Sequence, residues 1–165
     1  MPPPLRRGEA KMRRMLACLA LLAACVAPSA SADPFESARP ELLRACVSAA
    51  GDSREALNQC LGSLARPCIA VEGASTHTDV LCWSAEAHEW RVQTAEAMQH
   101  LNQTATHRDP ARLATADAAW EAWAEAECEY WAWEEGGGVG EQVDRVRCYA
   151  RVTAERAIDL ILAAR

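Results

Sequence analysis

The sequence predicts an all-α protein, a small disulfide-stapled helical bundle of about five helices. Alanine is abundant after residue 32, and β-branched residues are sparse. No window alternates apolar and polar residues at the two-residue period of a strand. Six cysteines after residue 32 are an even number in a short chain, as expected for disulfides. Residues 33–165 are long enough for one domain.

Turn and capping residues give the boundaries of the first two predicted helices. A first helix covers about 40–50, and Gly51 breaks it. Asp52 with Glu55 three residues later resembles a capping box, which predicts the start of a second helix. That helix is predicted to end near Arg66-Pro67.

Three longer helices are predicted in the rest of the chain. Asp109 is a good N-cap, and Pro110 follows it at the first helical position. The glycine-rich run at 136–140 predicts a stop and a turn. The predicted segments are a loop at 72–77, then helices at 78–104, 110–135 and 141–163.

The first 32 residues have the pattern of a secretory signal peptide. A basic, proline-rich start precedes an apolar run over 15–26, and Ala30-Ser31-Ala32 offers a cleavage site before Asp33. The apolar run is too short to span a bilayer. Residues 22–25 also resemble a lipobox, in which Cys25 would carry a lipid. The sequence therefore predicts a periplasmic or secreted protein, with a lipid anchor at Cys25 in the cell envelope as the alternative.

The charge balance limits the classes of partner. Residues 33–165 contain 12 basic and 22 acidic side chains and no lysine, a formal net charge of −10, whereas the full chain carries −6. Nucleic acids and anionic membrane surfaces are bound through basic patches, so neither is a predicted partner. The acidic balance favours a cationic protein partner, or serves solubility alone.

The cysteine positions favour one disulfide pattern. Cys128 and Cys148 flank the glycine turn at similar distances, which predicts that they pair. Among the other four, symmetry about residues 51–53 favours one pair and leaves the last two to each other, although other pairings stay open. The favoured pairs are Cys128–Cys148, Cys46–Cys60 and Cys68–Cys82.

Tryptophans recur along the fourth predicted helix. At about 100° per residue, Trp120, Trp123, Ala124 and Trp131 share one broad stripe, which predicts a core face. Glu127 lies inside this stripe, and a buried carboxylate needs a partner. We therefore expect an arginine beside Glu127, or a local rotation of the helix.

The same helix carries a second stripe, made of carboxylates. Glu121, Glu125 and Glu129 recur every four residues and share one face. Two interpretations stay open: a solvated face, or an electrostatic surface that binds a partner.

No residue pattern predicts catalysis. His88-Glu89 begins like a zinc-protease motif, but Val92 stands where its second histidine belongs. The glycine run lacks the lysine of a phosphate-binding loop. We therefore predict no catalytic residue, no metal, no cofactor and no enzyme activity.

The last third of the chain resembles the LprI-type lysozyme-inhibitor domain. The resemblance covers roughly 110–162 and depends on two tryptophans, two cysteines, an acidic residue and a Thr-x-x-Arg motif. Asp117 and Ala124 replace a glutamine and an arginine of the family pattern. The matching residues are Trp120, Trp123, Glu125 (aspartate in the family), Cys128, Cys148, Thr153 and Arg156.

This resemblance implies a helical bundle outside the cytoplasm, with lysozyme inhibition for some members. The predicted function is therefore an exported binding protein that inhibits lysozyme-type muramidases, which are cationic, through its acidic helix faces. The alternative is a structural or stress module of the cell envelope. Within the motif, Arg156 is predicted to be structural, paired with Glu125 or Glu127.

Overall fold

A computed structural model describes residues 38–104, 109–134 and 138–165. This part of the chain forms helices and contains no strand, which confirms the all-α class. The predicted signal segment, the lipid alternative at Cys25 and residues 135–137 of the glycine turn lie outside the described residues. The helices are α1 (Pro40–Ala50), α2 (Arg54–Asn58), α3 (Ala65–Glu72), α4 (Thr76–Thr104), α5 (Pro110–Glu134) and α6 (Val139–Ala163).

Helix α1 has the predicted bounds. Pro40 occupies its first turn, where the missing backbone N–H leaves no hydrogen bond unmade. The helix ends at Ala50 because Gly51 takes a positive φ of 55°.

The single second helix predicted from Asp52 to Pro67 was wrong. Two short helices, α2 and α3, stand there, joined by a turn over 59–64. The N-cap of α2 is Ser53 rather than Asp52, since the Ser53 Oγ accepts a hydrogen bond from the Ala56 N–H at 3.2 Å. Pro67 lies in the first turn of α3, a position proline tolerates, and does not end a helix.

The turn between α2 and α3 requires glycine. Gly62 has a φ of 88°, and a Cβ built on it would lie 2.6 Å from the Arg66 Nε. A side chain there would be strained by the backbone, and the flexible Arg66 side chain would have to move aside.

Helices α4 and α6 begin two residues earlier than predicted, whereas α5 begins at Pro110 as predicted. Helix α3 continues to Glu72, and α4 begins at Thr76, where the Ser75 Oγ accepts a hydrogen bond from the Thr78 N–H at 3.0 Å. Asp109 caps α5 as predicted, through a 2.9 Å bond from the Ala111 N–H. Helix α6 begins at Val139 rather than residue 141.

The centre of the domain is the packing of α4 along α6, with α1 and α2 covering one end. Trp90 of α4 is the largest fully buried side chain. Burial of such side chains contributes about 1.5–3 kcal/mol each. The main cluster consists of Leu43, Val47, Leu57, Cys60, Leu64, Ala85, Trp90, Ala97, Leu101, Ala154, Ala157, Ile158, Leu160 and Ile161.

Three disulfides connect neighbouring segments, in the pairing that the cysteine positions favoured. Their Cα–Cα separations are 5.5 to 5.8 Å. Cys46–Cys60 ties α1 to the turn after α2, Cys68–Cys82 ties α3 to α4, and Cys128–Cys148 ties α5 to α6. Among the described residues, no helix is both long enough and apolar enough to cross a membrane.

Candidate functional site

Helix α5 packs on α6 through small side chains. Ala124, Cys128 and Ala132 are each no more than 1% exposed. Ala124 and Cys128 form a cluster with Val152 of α6, and Trp120 lies half-buried at its edge. The Cys128–Cys148 bond holds the two helices at a Cα–Cα distance of 5.5 Å at this point.

The prediction that the tryptophan stripe is a core face was wrong for two of its three tryptophans. Trp123 and Trp131 are each 49% exposed. The disulfide turns the face bearing Cys128 towards α6, and only small residues fit where two helices lie so close. The buried face is therefore rotated away from Trp123, and the indoles lie beside the contact rather than in it.

This rotation also explains Glu127. The carboxylate is half-buried and accepts a hydrogen bond from the Trp131 Nε1 at 2.8 Å, so its partner is an indole rather than the expected arginine. Tyr130 packs edge-on against Trp131 with ring centroids 5.3 Å apart. The Trp131 ring is thus held from two sides at the surface.

Four large aromatic side chains are exposed on the second half of α5, and we call them the aromatic patch. Its members are Trp123, Tyr130, Trp131 and Trp133, the last being 73% exposed. Sequence reasoning missed this surface. The presence of Glu127 among the tryptophans was the available signal, since a charged residue in the middle of an apolar stripe indicates that the stripe is not all core.

We call the carboxylate stripe of Glu121, Glu125 and Glu129 the acidic flank. Its three carboxylates have different surroundings. Glu125 and Glu129 are exposed, whereas Glu121 forms an ion pair with Arg91 of α4. Arg91 also donates a hydrogen bond to the Tyr149 hydroxyl at 3.0 Å. Partial burial of Arg91 opposes its charge, but the Tyr149 oxygen and the Glu121 carboxylate outweigh it and raise the guanidinium pKa above its usual value.

The Arg91–Glu121 pair separates two clefts beside α5. One, of about 720 Å³, lies between α4, α5 and α6, and Glu125 and Glu129 face Arg145 and His88 across it. The other, of about 620 Å³, lies between α4 and α5 beside Trp120. The clefts exist because α4 and α5 both pack on α6 more than on each other.

Arg156 is in an ion pair that joins α6 to α5, but its partner was predicted wrongly. The Arg156 Nε donates to the Asp117 Oδ1 at 3.2 Å, and the two side chains are 19% and 26% exposed. Asp117 precedes the buried Ala124 by seven residues and so shares its face of the helix, whereas Glu125 points to solvent. Thr153 of the same motif is fully buried and donates from its Oγ1 to the Tyr149 carbonyl at 2.6 Å.

A buried carboxylate that sequence reasoning missed anchors α3. Glu86 of α4 has no exposed surface, and it accepts hydrogen bonds from the backbone N–H groups of Gly62, Leu64 and Ala65. The Trp90 Nε1 donates to the same carboxylate at 3.4 Å. Glu86 therefore accepts hydrogen bonds from backbone N–H groups at the start of α3 that have no partner within α3.

One turn further along α4, Glu89 is also buried and structural. The Arg44 Nε and Nη2 donate to its two oxygens at 2.7 and 3.0 Å. This carboxylate raises the pKa of the Arg44 guanidinium. The acid of the His88-Glu89 pair is therefore bound to an arginine, and the described residues contain no group of three metal-binding side chains.

Comparison with protein families gives a match described as "Lysozyme inhibitor LprI" over residues 68–160. The match covers more than half of the chain, from Cys68 in α3 through α6, and so begins earlier than the resemblance at 110–162. Among curated proteins and solved structures, no match to the chain was found. Disulfides persist in oxidising compartments, and three of them together with this match indicate a protein that works outside the cytoplasm. The chain belongs to the LprI lysozyme inhibitor family.

Proposed function

We propose that this protein is an exported binding protein that inhibits lysozyme-type muramidases. The observation that carries the proposal is the family match, which includes the whole of α5 and α6 up to Leu160. Binding of this kind needs surface complementarity and uses no catalytic residue, metal or cofactor.

Charge supports a cationic partner. Helix α5 contains a single basic residue, Arg112 in its first turn, where it pairs with Asp109. It contains six acidic residues, namely Asp117, Glu121, Glu125, Glu127, Glu129 and Glu134. Lysozymes are typically basic proteins, and opposite charge steers two proteins together and raises their association rate.

Within α5, the acidic flank is the proposed electrostatic contact. Glu125 and Glu129 are exposed and lie one helical turn apart. Glu121 contributes less because its carboxylate is bound to Arg91. The disulfide to Cys148 and the ion pair with Arg156 hold α5 on α6, so the flank is presented by a fixed helix.

Export through cleavage after Ala32 places the protein in the periplasm or the medium, and lipidation of Cys25 anchors it in the envelope instead. The mass of the protein purified from an exporting host distinguishes the two. A mass that begins at Asp33 supports cleavage, and a diacylglycerol adduct on Cys25 supports the anchor.

Turnover of a purified basic lysozyme, measured with the purified disulfide-bonded protein, tests the proposed function. We expect inhibition at equimolar ratio in low salt. It should weaken towards high salt, since the Debye length falls from about 10 Å at 0.1 M to about 3 Å at 1 M. Unchanged turnover at both equimolar and tenfold excess would overturn the inhibitor proposal in favour of a structural or stress module of the envelope.

A further inference from the structure

We propose that the aromatic patch of α5 is the anchor of the interface, where arginine and lysine side chains of the partner stack on exposed indole rings. This inference rests on the proposed function, because it assigns the muramidase a second contact on the same helix. The two surfaces of α5 then have different roles in binding. The acidic flank speeds association with the partner, and the aromatic patch slows dissociation of the complex.

The second half of α5 exposes several large aromatic rings to water. Four aromatic rings lie within eleven residues, each at least 49% exposed. Exposed apolar patches of this kind mark interaction sites, and tryptophan and tyrosine are the residues most enriched among those that dominate binding energy.

Three members of the aromatic patch and Glu129 of the acidic flank lie on the same outward side of α5. At roughly 100° per residue, Trp123, Glu129, Tyr130 and Trp133 all lie within roughly 60° of the direction opposite the buried Ala124–Cys128 face. A partner seated across this side contacts the Glu129 carboxylate and the exposed aromatic rings together.

Part of the aromatic patch is held in place before binding. Trp131 is fixed by its hydrogen bond to Glu127 and supports Tyr130 through their edge contact. A side chain that is already ordered loses little conformational entropy on binding, which improves affinity.

The surrounding charge selects the occupant. From Leu113 to Glu134, α5 has no basic residue, so every charged side chain that this stretch of the helix contributes is a carboxylate. Aromatic faces attract cations, and neighbouring carboxylates strengthen that preference. Two copies of so acidic a helix repel each other, and an anionic membrane surface repels it too.

The test uses the double variant Trp123→Ala/Trp133→Ala and a basic lysozyme on a biosensor that resolves association from dissociation. We expect dissociation about 30-fold faster, with the association rate changed less than about threefold. The matched control is Val71→Ala on α3, which removes an equally exposed apolar side chain, 75% exposed, outside α5 and should change neither rate. Circular dichroism checks that each variant is folded.

A second variant separates the effect of charge from the effect of removing a large side chain. Trp133→Arg places a cation in the patch and should weaken binding more than Trp133→Ala does, because the proposed partner is cationic there.

The outcomes separate this inference from the proposed function. If the unaltered protein inhibits but the double variant dissociates at the unaltered rate, the aromatic anchor is overturned and inhibition stands. If the unaltered protein neither binds nor inhibits lysozyme, both are overturned. If sedimentation shows dimers that the double variant loses, the occupant is a second copy and the muramidase assignment fails.

Discussion

The middle of α4 and the helix α5 place charged and aromatic residues in opposite environments. Around Glu86 and Trp90, a carboxylate and an indole are fully buried and bonded to the backbone of α3 or to each other. Along α5, indoles and carboxylates of the same types are exposed beside a contact made by alanines. The same residue types therefore serve stability in one region and are available to a partner in the other.

What decides between the two roles is the number of neighbouring helices. The buried part of α4 is surrounded by α1, α3 and α6, so its buried carboxylates need partners within the protein. Helix α5 packs mainly on α6, and most of its circumference faces solvent. Substitutions in the first region should change stability, and substitutions on the outer side of α5 should change binding.

The largest expected effect is on stability, from Glu86→Ala. Removing this carboxylate leaves the amide groups of Gly62, Leu64 and Ala65 buried without an acceptor. We expect a loss of about 3–5 kcal/mol, enough to lower the melting temperature by more than about 10 °C. Thermal unfolding followed by circular dichroism measures it.

The exposed Glu72→Ala is the control, and it should shift the melting temperature by less than about 2 °C. Equal shifts for the two variants would mean that Glu86 does not hold α3 as described.

The next prediction compares two disulfides that close loops of similar length. Replacing Cys128 and Cys148 with alanine, or Cys46 and Cys60 with alanine, should each cost about 3 kcal/mol, since the loops span 20 and 14 residues. Only the first pair fixes α5 on α6. We therefore expect the first variant to bind lysozyme at least about tenfold more weakly at a temperature where both are folded.

Binding affinity by calorimetry, with unfolding curves for both variants, is the measurement. If the two disulfide variants lose affinity equally, the position of α5 is not what the partner senses.

A smaller effect is expected from Arg156→Ala. Both side chains of the Arg156–Asp117 pair are about three-quarters buried or more. Loss of the pair should lower the free energy of unfolding by about 1–2 kcal/mol, which is less than for a fully buried pair because solvent still reaches it. A double-mutant cycle with Asp117→Ala isolates the pair energy. The exposed pair Arg151–Glu155 serves as the comparison and should give less than about 0.5 kcal/mol.

A coupling energy near zero between Arg156 and Asp117 would show that the ion pair does not join the two helices. Arg156 would then be a candidate contact for the partner.

Much of the fold was predictable because local signals determine it. Pro40, Gly51 and Asp109 act within a few residues of themselves, and each disulfide joins cysteines 14 to 20 residues apart, so the structure has the helix ends and the disulfides close to where these signals place them. The turn at Gly62 was missed because its stability comes from Glu86, twenty-four residues later in the chain.

The site was less predictable, for a physical reason. Periodicity finds which residues share a face of α5, but it does not tell which face meets α6. The close approach at Cys128 selects the alanine face, and it leaves Trp123 and Trp131 outside. The partner of Arg156 was missed for the same reason, since Asp117 lies on the alanine face of α5 that packs on α6.

We propose that the exposed surface of α5 is where the protein binds a cationic muramidase. Inhibition of a basic lysozyme in low salt by Glu125→Arg/Glu129→Arg tests it most directly. The comparison is Glu55→Arg/Glu72→Arg, an equal change of charge at exposed positions on α2 and α3. We predict that the α5 variant needs more than about tenfold higher concentration for half-inhibition, and the comparison variant less than about threefold, since local charge pairs add to the effect of net charge. Equal losses for the two variants would contradict the claim.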